Sequence, residues 1–259
     1  MILKEQPTIV AATESPRRLL FLASIPAIKL LVYGGGEELA TNDVIQVAVG
    51  KAISAREQLR SEQILNGQLI VGADIRTEIL TPKGFVSRGK PKDGEHLVWE
   101  NFAQMSLVDG KLGYRLVAGS AVDHEGKMTK SFSLCRVFIK KEGMIYLSSL
   151  RGFEEYKAAY LDFYSSPPYS SQNLRPIGLR DVSGGISLPV LVSMGLVEGI
   201  SFDGVNMIDL SRESLMRAIF IAGVGYGPAV LEKLDPNYLE IIKAWDWLNQ
   251  VTNKILFKK

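Results

Sequence analysis

Apolar and polar positions along this chain fall into short apolar runs separated by stretches of helical period. Ile9-Val10-Ala11-Ala12 is followed by Thr13-Glu14-Ser15-Pro16-Arg17-Arg18 and then by Leu19-Leu20-Phe21-Leu22-Ala23. This order predicts a buried strand that ends in a tight turn and opens a helix. Serine is a favoured N-cap, and proline at the first helical position loses no backbone bond. Ile28-Lys29-Leu30-Leu31-Val32-Tyr33 predicts a second strand, ended by Gly34-Gly35-Gly36 and followed by Glu37-Glu38. Asn42-Asp43 can cap a helix over residues 44–62, where Val44, Val47, Ala48, Lys51, Ala52 and Ala55 recur at helical spacing. Gln68-Leu69-Ile70-Val71-Gly72-Ala73-Asp74 predicts a buried strand with a carboxylate at its carboxyl end. Open α/β sheets bind ligands beyond that end of their strands.

Further along, a loop rich in Gly, Pro and Lys is expected over 82–94 and holds Arg88-Gly89-Lys90-Pro91-Lys92-Asp93. A helix through Trp99, Phe102 and Met105 follows. Alternation over 114–122 and 131–139 predicts two paired strands around Asp123-His124-Glu125-Gly126. A helical pattern at 153–164 leads into a Ser/Pro-rich loop at 165–171. The break Ser183-Gly184-Gly185 precedes an apolar helix over 190–196. From about residue 201 the pattern changes to two amphipathic helices, 211–222 and 238–257, separated by Gly223-Val224-Gly225-Tyr226-Gly227-Pro228. The second carries Ile242, Trp245, Leu248, Val251 and Ile255 on one stripe. Short strands alternating with helices predict an α/β layer structure.

Length and charge narrow the function classes. A chain of 259 residues holds one large domain, or one domain with an appendage. A net charge of +2 gives no bulk attraction for nucleic acid or an anionic membrane, so neither is expected as a partner. The single cysteine, Cys135, lies in the apolar stretch 132–139 and reads as a buried structural thiol. Residues 1–7 lack the basic start and apolar core of a signal peptide, and no apolar run reaches the length of a membrane span. A soluble, cytoplasmic protein is expected. His96 and His124 lack metal-like spacing.

The candidate chemistry is anionic recognition. The free N–H groups and positive end of a helix opening at Ser15 bind anions, and Arg17 and Arg18 add forked donors. The competing reading is a capped surface helix with two solvated arginines. Asp74 is either a functional carboxylate or a loop cap. Lys51 is either a point charge for phosphate or a surface lysine whose stem lies along the helix. Lys90 lies near Lys83, Arg88 and Lys92, a run that also reads as a solvated face. Phe85, Trp99 and Tyr114 can stack on a base, although core packing is the plainer use of each.

These pieces, in this order, resemble the Maf family of septum formation proteins, which are nucleoside triphosphate pyrophosphatases. The family's Ser-x-Ser-Pro-Arg-Arg turn is matched by Thr13-Glu14-Ser15-Pro16-Arg17-Arg18, and its Asp-Glu element by Glu37-Glu38. Its Lys-Ala helix is matched by Lys51-Ala52, its Gly-Ala-Asp-Thr strand by Gly72-Ala73-Asp74-Ile75, and its Gly-Lys-Pro loop by Gly89-Lys90-Pro91. Ser187-Leu188-Pro189 is a weak match to the later Gly-Leu-Pro element. The resemblance covers residues 8–197. It implies an α/β fold with an elongated mixed β-sheet flanked by helices over residues 1–200. Residues 201–259 would form a C-terminal helical extension packed on this domain or extending a homodimer contact.

The resemblance also implies hydrolysis of a pyrimidine or modified nucleoside triphosphate to the monophosphate and pyrophosphate. Thr13, Ser15, Arg17 and Arg18 would hold the phosphates, with Lys51 and Lys90 as further cationic groups. Asp74 and Glu38 would hold Mg2+ or Mn2+, one of them also orienting or deprotonating the attacking water. The chain departs from the family pattern in three places. Ile75 stands where the family has Thr, Ala118 precedes Gly119 where the family has Thr-Gly, and the Gln-Gly element has no counterpart. These departures keep open an alternative, a degenerate relative that binds nucleotide or protein partners without turnover.

Overall fold

The computed structural model describes residues 8–25, 29–34, 41–91, 94–108, 112–166, 177–202, 218–220 and 222–234. Among them is an α/β arrangement, a mixed open sheet of seven strands flanked by helices. Strands β1 (Thr8–Ala12), β2 (Lys29–Tyr33) and β3 (Leu69–Thr81) are followed by β4 (Gly84–Arg88), β5 (Tyr114–His124), β6 (Lys127–Ile139) and β7 (Val197–Phe202). The sheet order is β2-β1-β3-β5-β6-β7, with β4 paired to β3. β1 is parallel to both β2 and β3, whereas β3–β4 and β6–β7 are antiparallel.

The helices are α1 (Pro16–Ser24), α2 (Val44–Ser61), α3 (Glu95–Ser106), α4 (Lys141–Ser148), α5 (Leu150–Ser165), α6 (Leu188–Ser193) and α7 (Pro228–Leu234). The first two start where the capping residues predict. Ser15 is the N-cap of α1 with Pro16 in its first turn, and Asp43 Oδ1 caps α2 by accepting from the amides of Ile45 and Gln46. The predicted stripe of α2 is its buried face: Val44, Val47, Ala48, Lys51, Ala52 and Ala55, continued by Leu59. Ala52, Ala55 and Leu59 pack with Val10, Ala12 and Ile70 in one apolar cluster.

The chain forms two compact units. The first comprises Met1–Asp74, Ala118–Phe132 and Gly223–Ile241, and the second Ile75–Val117, Ser133–Ala222 and Ile242–Lys259. In the first unit, the β5–β6 turn places Glu125 and Gly126 at positive φ (52° and 85°), as a two-residue hairpin turn requires. Gly126 N–H donates to Asp123 Oδ1, and Arg56 donates to Asp123 Oδ2 at 2.7 Å. In the second unit, Tyr156 stacks edge-on against Phe102 at 5.0 Å and continues through Tyr160 to Tyr164 along α5.

Several elements differ from the sequence expectation. The strand expected to end at Asp74 runs on to Thr81, because Thr77, Ile79 and Thr81 alternate inward and Gly84–Arg88 folds back to pair with it. Asp74 is therefore inside a strand, and the expected loop over 82–94 is half hairpin. The helix over 190–196 lies earlier, at Leu188–Ser193, which leaves Val197–Phe202 to pair with β6. Helix α4 was concealed by its shortness and by Gly143. Cys135 is buried and unbonded to sulfur. The helix expected over 238–257 lies outside the described residues, as does most of 211–222. No helix among the described residues is long and apolar enough to cross a membrane.

Candidate functional site

The chemistry of the first unit starts from a close approach of α2 to the sheet. A Cβ on Gly72 would lie 2.1 Å from Ala48 O and 3.1 Å from Ala52 N, so only glycine lets the helix backbone rest on β3 here. Gly119 of β5 meets the first turn of α2 in the same way, with its Cβ position 2.5 Å from Val44 C and O. Held this close, α2 turns Lys51 inward one turn after Ala48. Lys51 is 8% exposed, and its Nζ donates to Asp74 Oδ1 at 3.2 Å. The surface-lysine reading of Lys51 is thereby overturned. Burying an ammonium without a partner is costly, and the Asp74 carboxylate two residues beyond Gly72 offsets that cost.

The turn before α1 is organised around Thr13. Its Oγ1 accepts from Ser15 N–H at 3.1 Å and from Arg18 Nη1 at 3.4 Å. Ser15 sits at the N-cap position, yet its side chain makes no capping hydrogen bond. Arg17 is half-buried. Arg18 is buried, and its Nε donates at 2.9 Å to the carbonyl of Val224, 206 residues away. The expectation of a solvated or phosphate-facing Arg18 is corrected to this extent: part of its fork is a tether.

That tether ties the glycine loop 223–227 to the same turn. Gly227 N–H donates to the buried hydroxyl of Ser120 at 2.9 Å, and the Tyr226 ring lies 5.8 Å from that of Phe21. Tyr226 Oη is buried and has no hydrogen-bond partner among the described residues. Burial pushes its phenol well up, and the neighbouring Arg18 guanidinium opposes that shift. In the sequence, Gly223-x-Gly225-x-Gly227 is the loop between two expected helices and a weak glycine signal. Nothing local to it indicates a partner at residue 18.

In the second unit, Lys90 is exposed and lies just beyond the end of β4. Arg88 bonds Gln104, and its Nε is buried without a partner among the described residues. The three aromatic candidates are packing groups: Tyr114 is fully buried, Trp99 Nε1 donates to Ser148 O at 2.7 Å, and Phe85 lies beneath the Arg115 guanidinium at 4.0 Å. Of the expected site residues, Lys51 and Asp74 are brought together, as are Thr13, Ser15 and Arg18. Glu37 and Glu38 lie outside the described residues. No group of three or more His, Cys, Asp or Glu among the described residues could hold a metal ion.

No protein-family model matches this chain, and no curated protein matches it.

Proposed function

We propose that the chain is a nucleoside triphosphate pyrophosphatase that cleaves between the α and β phosphorus atoms. The observation that carries this reading is the Lys51–Asp74 pair, a carboxylate and an ammonium 3.2 Å apart on adjoining elements. A phosphoryl-transfer site requires cationic groups for the phosphate oxygens and a carboxylate for the attacking water. The turn at Thr13, Ser15 and Arg17 supplies a helix N-terminus whose serine hydroxyl is not spent on capping. In the proposed reaction a water oxygen bonds to the α-phosphorus and the bridging oxygen leaves with pyrophosphate. Asp74 accepts the water's proton, while Lys51 balances charge on the polyphosphate. Lys90 belongs to the second unit, and the reading rests on the first-unit residues alone.

A divalent cation suits the donor set in its chemistry. Magnesium needs only one or two carboxylates when substrate phosphates complete its shell, and Asp74 offers hard oxygen ligands. When bound, Mg2+ or Mn2+ would neutralise phosphate charge and polarise the reacting phosphoryl group. The test is a panel of standard and modified nucleoside triphosphates incubated with the protein and magnesium, with separation of the products. Monophosphate with pyrophosphate supports the proposal, and diphosphate with orthophosphate contradicts it.

One observation favours a second reading, a nucleotide-binding protein without turnover. Arg18 Nε is engaged by the Val224 carbonyl rather than held for a ligand. Under that reading a triphosphate raises the melting temperature by mass action and no pyrophosphate appears.

A further inference from the structure

Towards its C-terminal end, α2 carries a second charged pair within the first unit. Asp123, 1% exposed, accepts from Gly126 N–H at 2.9 Å and from Arg56 Nη1 at 2.7 Å. Both carboxylate oxygens are thus engaged, and Arg56 is fixed against the β5–β6 turn. Nη1 carries the one hydrogen bond of the Arg56 side chain among the described residues.

Beside this pair lies a cavity of about 300 Å3. Arg56 and Arg60 of α2 form one wall, the turn at Glu125 and Gly126 a second, and the loop from Leu65 to Gln68 a third. Hydrogen bonds hold that loop in place. Ile64 N–H donates to Leu59 O at 3.0 Å where α2 ends, Gln68 Nε2 donates to Ile64 O at 2.8 Å, and Gln68 Oε1 accepts from Asn66 N–H at 2.6 Å. Arg60 is nine residues beyond Lys51, about 13 Å along the helix, which separates this cavity from the Lys51–Asp74 pair.

Two arginines and two carboxylates line the cavity, so the lining is neutral overall. Asp123 is taken by Arg56. Arg60 gives only Nη1 to Glu57, at 3.0 and 3.1 Å, which leaves Nε and Nη2 without a bond among the described residues. Glu125 has no hydrogen bond or ion pair among the described residues. It stands at a turn position of positive φ (52°) that glycine or asparagine fills by preference, so the turn itself does not call for a carboxylate. A bare anion gains from the arginines and loses to the carboxylates and to the negative end of α2. A molecule neutral overall, with its two charges apart, meets both.

We propose that this cavity binds a free aliphatic α-amino acid. The ligand carboxylate takes the open donors of Arg60 and Arg56, its ammonium meets Glu125, and its side chain lies on Leu65, which is 37% exposed. Small-molecule sites run from about 300 to 1,000 Å3, and a cavity at the lower limit suits an amino acid better than a nucleotide.

The experiment titrates the full-length protein with L-leucine and follows its backbone amides by NMR. Leucine amide, isocaproate and glycine are the comparison probes, lacking in turn the carboxylate, the ammonium and the side chain. Leucine is expected to give saturable shifts over residues 56–70 and 123–126. Each comparison probe should bind about tenfold more weakly, the order of one lost charge-assisted contact or one lost apolar side chain. Arg60→Gln should weaken leucine and isocaproate about tenfold, whereas Glu125→Gln should weaken leucine and leave isocaproate unweakened. Both side chains are exposed, and unaltered amide spectra away from the cavity identify the variants as folded. Absence of a saturable response to leucine, or shifts confined to other residues, overturns the proposal. So does any comparison probe that binds as tightly as leucine, or wild-type leucine affinity in either variant. Pyrophosphate release enters none of these outcomes, so the proposal stands or falls apart from the hydrolase reading.

Discussion

Replacing Gly72 by alanine tests the packing that brings Lys51 to Asp74. The added Cβ would stand 2.1 Å from Ala48 O, a backbone atom that cannot swing aside. Ordinary contact begins near 3.4 Å, so α2 and β3 must separate by about 1.3 Å or distort locally. Overfilling a packed core costs about 1–3 kcal/mol, and the stiffer unfolded chain returns about 0.4–1 kcal/mol. A net loss of about 1–2 kcal/mol lowers the melting temperature by about 2–8 °C in a chain of this size. The same displacement can carry Lys51 Nζ from 3.2 Å to about 4.5 Å from Asp74 Oδ1, beyond ion-pair contact. Thermal melting followed by circular dichroism, with pyrophosphate release measured in the folded range, reads both effects. Gly223→Ala is the control, because no heavy atom lies within 4 Å of its Cβ position. Its stability should stay within about 0.5 kcal/mol of wild type. A Gly72→Ala protein that melts with the wild type and keeps its activity would refute the reasoning.

Arg18→Ala removes the tether to Val224 and leaves a buried carbonyl unpaired, at about 1–3 kcal/mol. Hydrogen exchange over 223–234 should accelerate, and unchanged exchange there contradicts the tether. Stability should also fall at alkaline pH. Burial pushes the phenols of Tyr114, Tyr156 and Tyr226 up, so above about pH 10 the unfolded chain has lost protons that the folded chain retains. Each tyrosine then subtracts about 1.4 kcal/mol per pH unit, and denaturant titrations across this range measure the slope. Tyr226→Phe should remove one third of that slope and cost little at neutral pH, since its hydroxyl has no partner among the described residues. An unaltered slope in that variant speaks against the buried state of Tyr226.

The parts legible in the sequence are those decided by neighbours along the chain. Asp43 as a cap, Pro16 in a first turn, and the stripe from Val44 to Ala55 are local signals, and each describes the structure. The family likeness implies Lys51 and Asp74 at one site, as a phosphate cation and a metal ligand, and their direct ion pair has no signal in the sequence. The residues themselves left Lys51 as a surface lysine or a phosphate group, because its burial depends on Gly72 facing Ala48 across two elements. Asp74 was placed at a strand end because its apolar run stops there. The strand continues because β4 returns to pair with residues that alternate polar and apolar. Ser183 and Val224 were not legible as partners of Arg88 and Arg18, since separations of 95 and 206 residues leave no periodic trace.

The most direct test compares the wild-type protein with Asp74→Asn, each given a nucleoside triphosphate and magnesium, by phosphorus NMR of the products. The account predicts monophosphate and pyrophosphate from the wild type. It predicts none from the asparagine variant, assayed below its own melting temperature because Lys51 loses its carboxylate partner, since that side chain can neither accept the water's proton nor offer a carboxylate. Equal turnover by the two proteins, or orthophosphate as the first product, would contradict it.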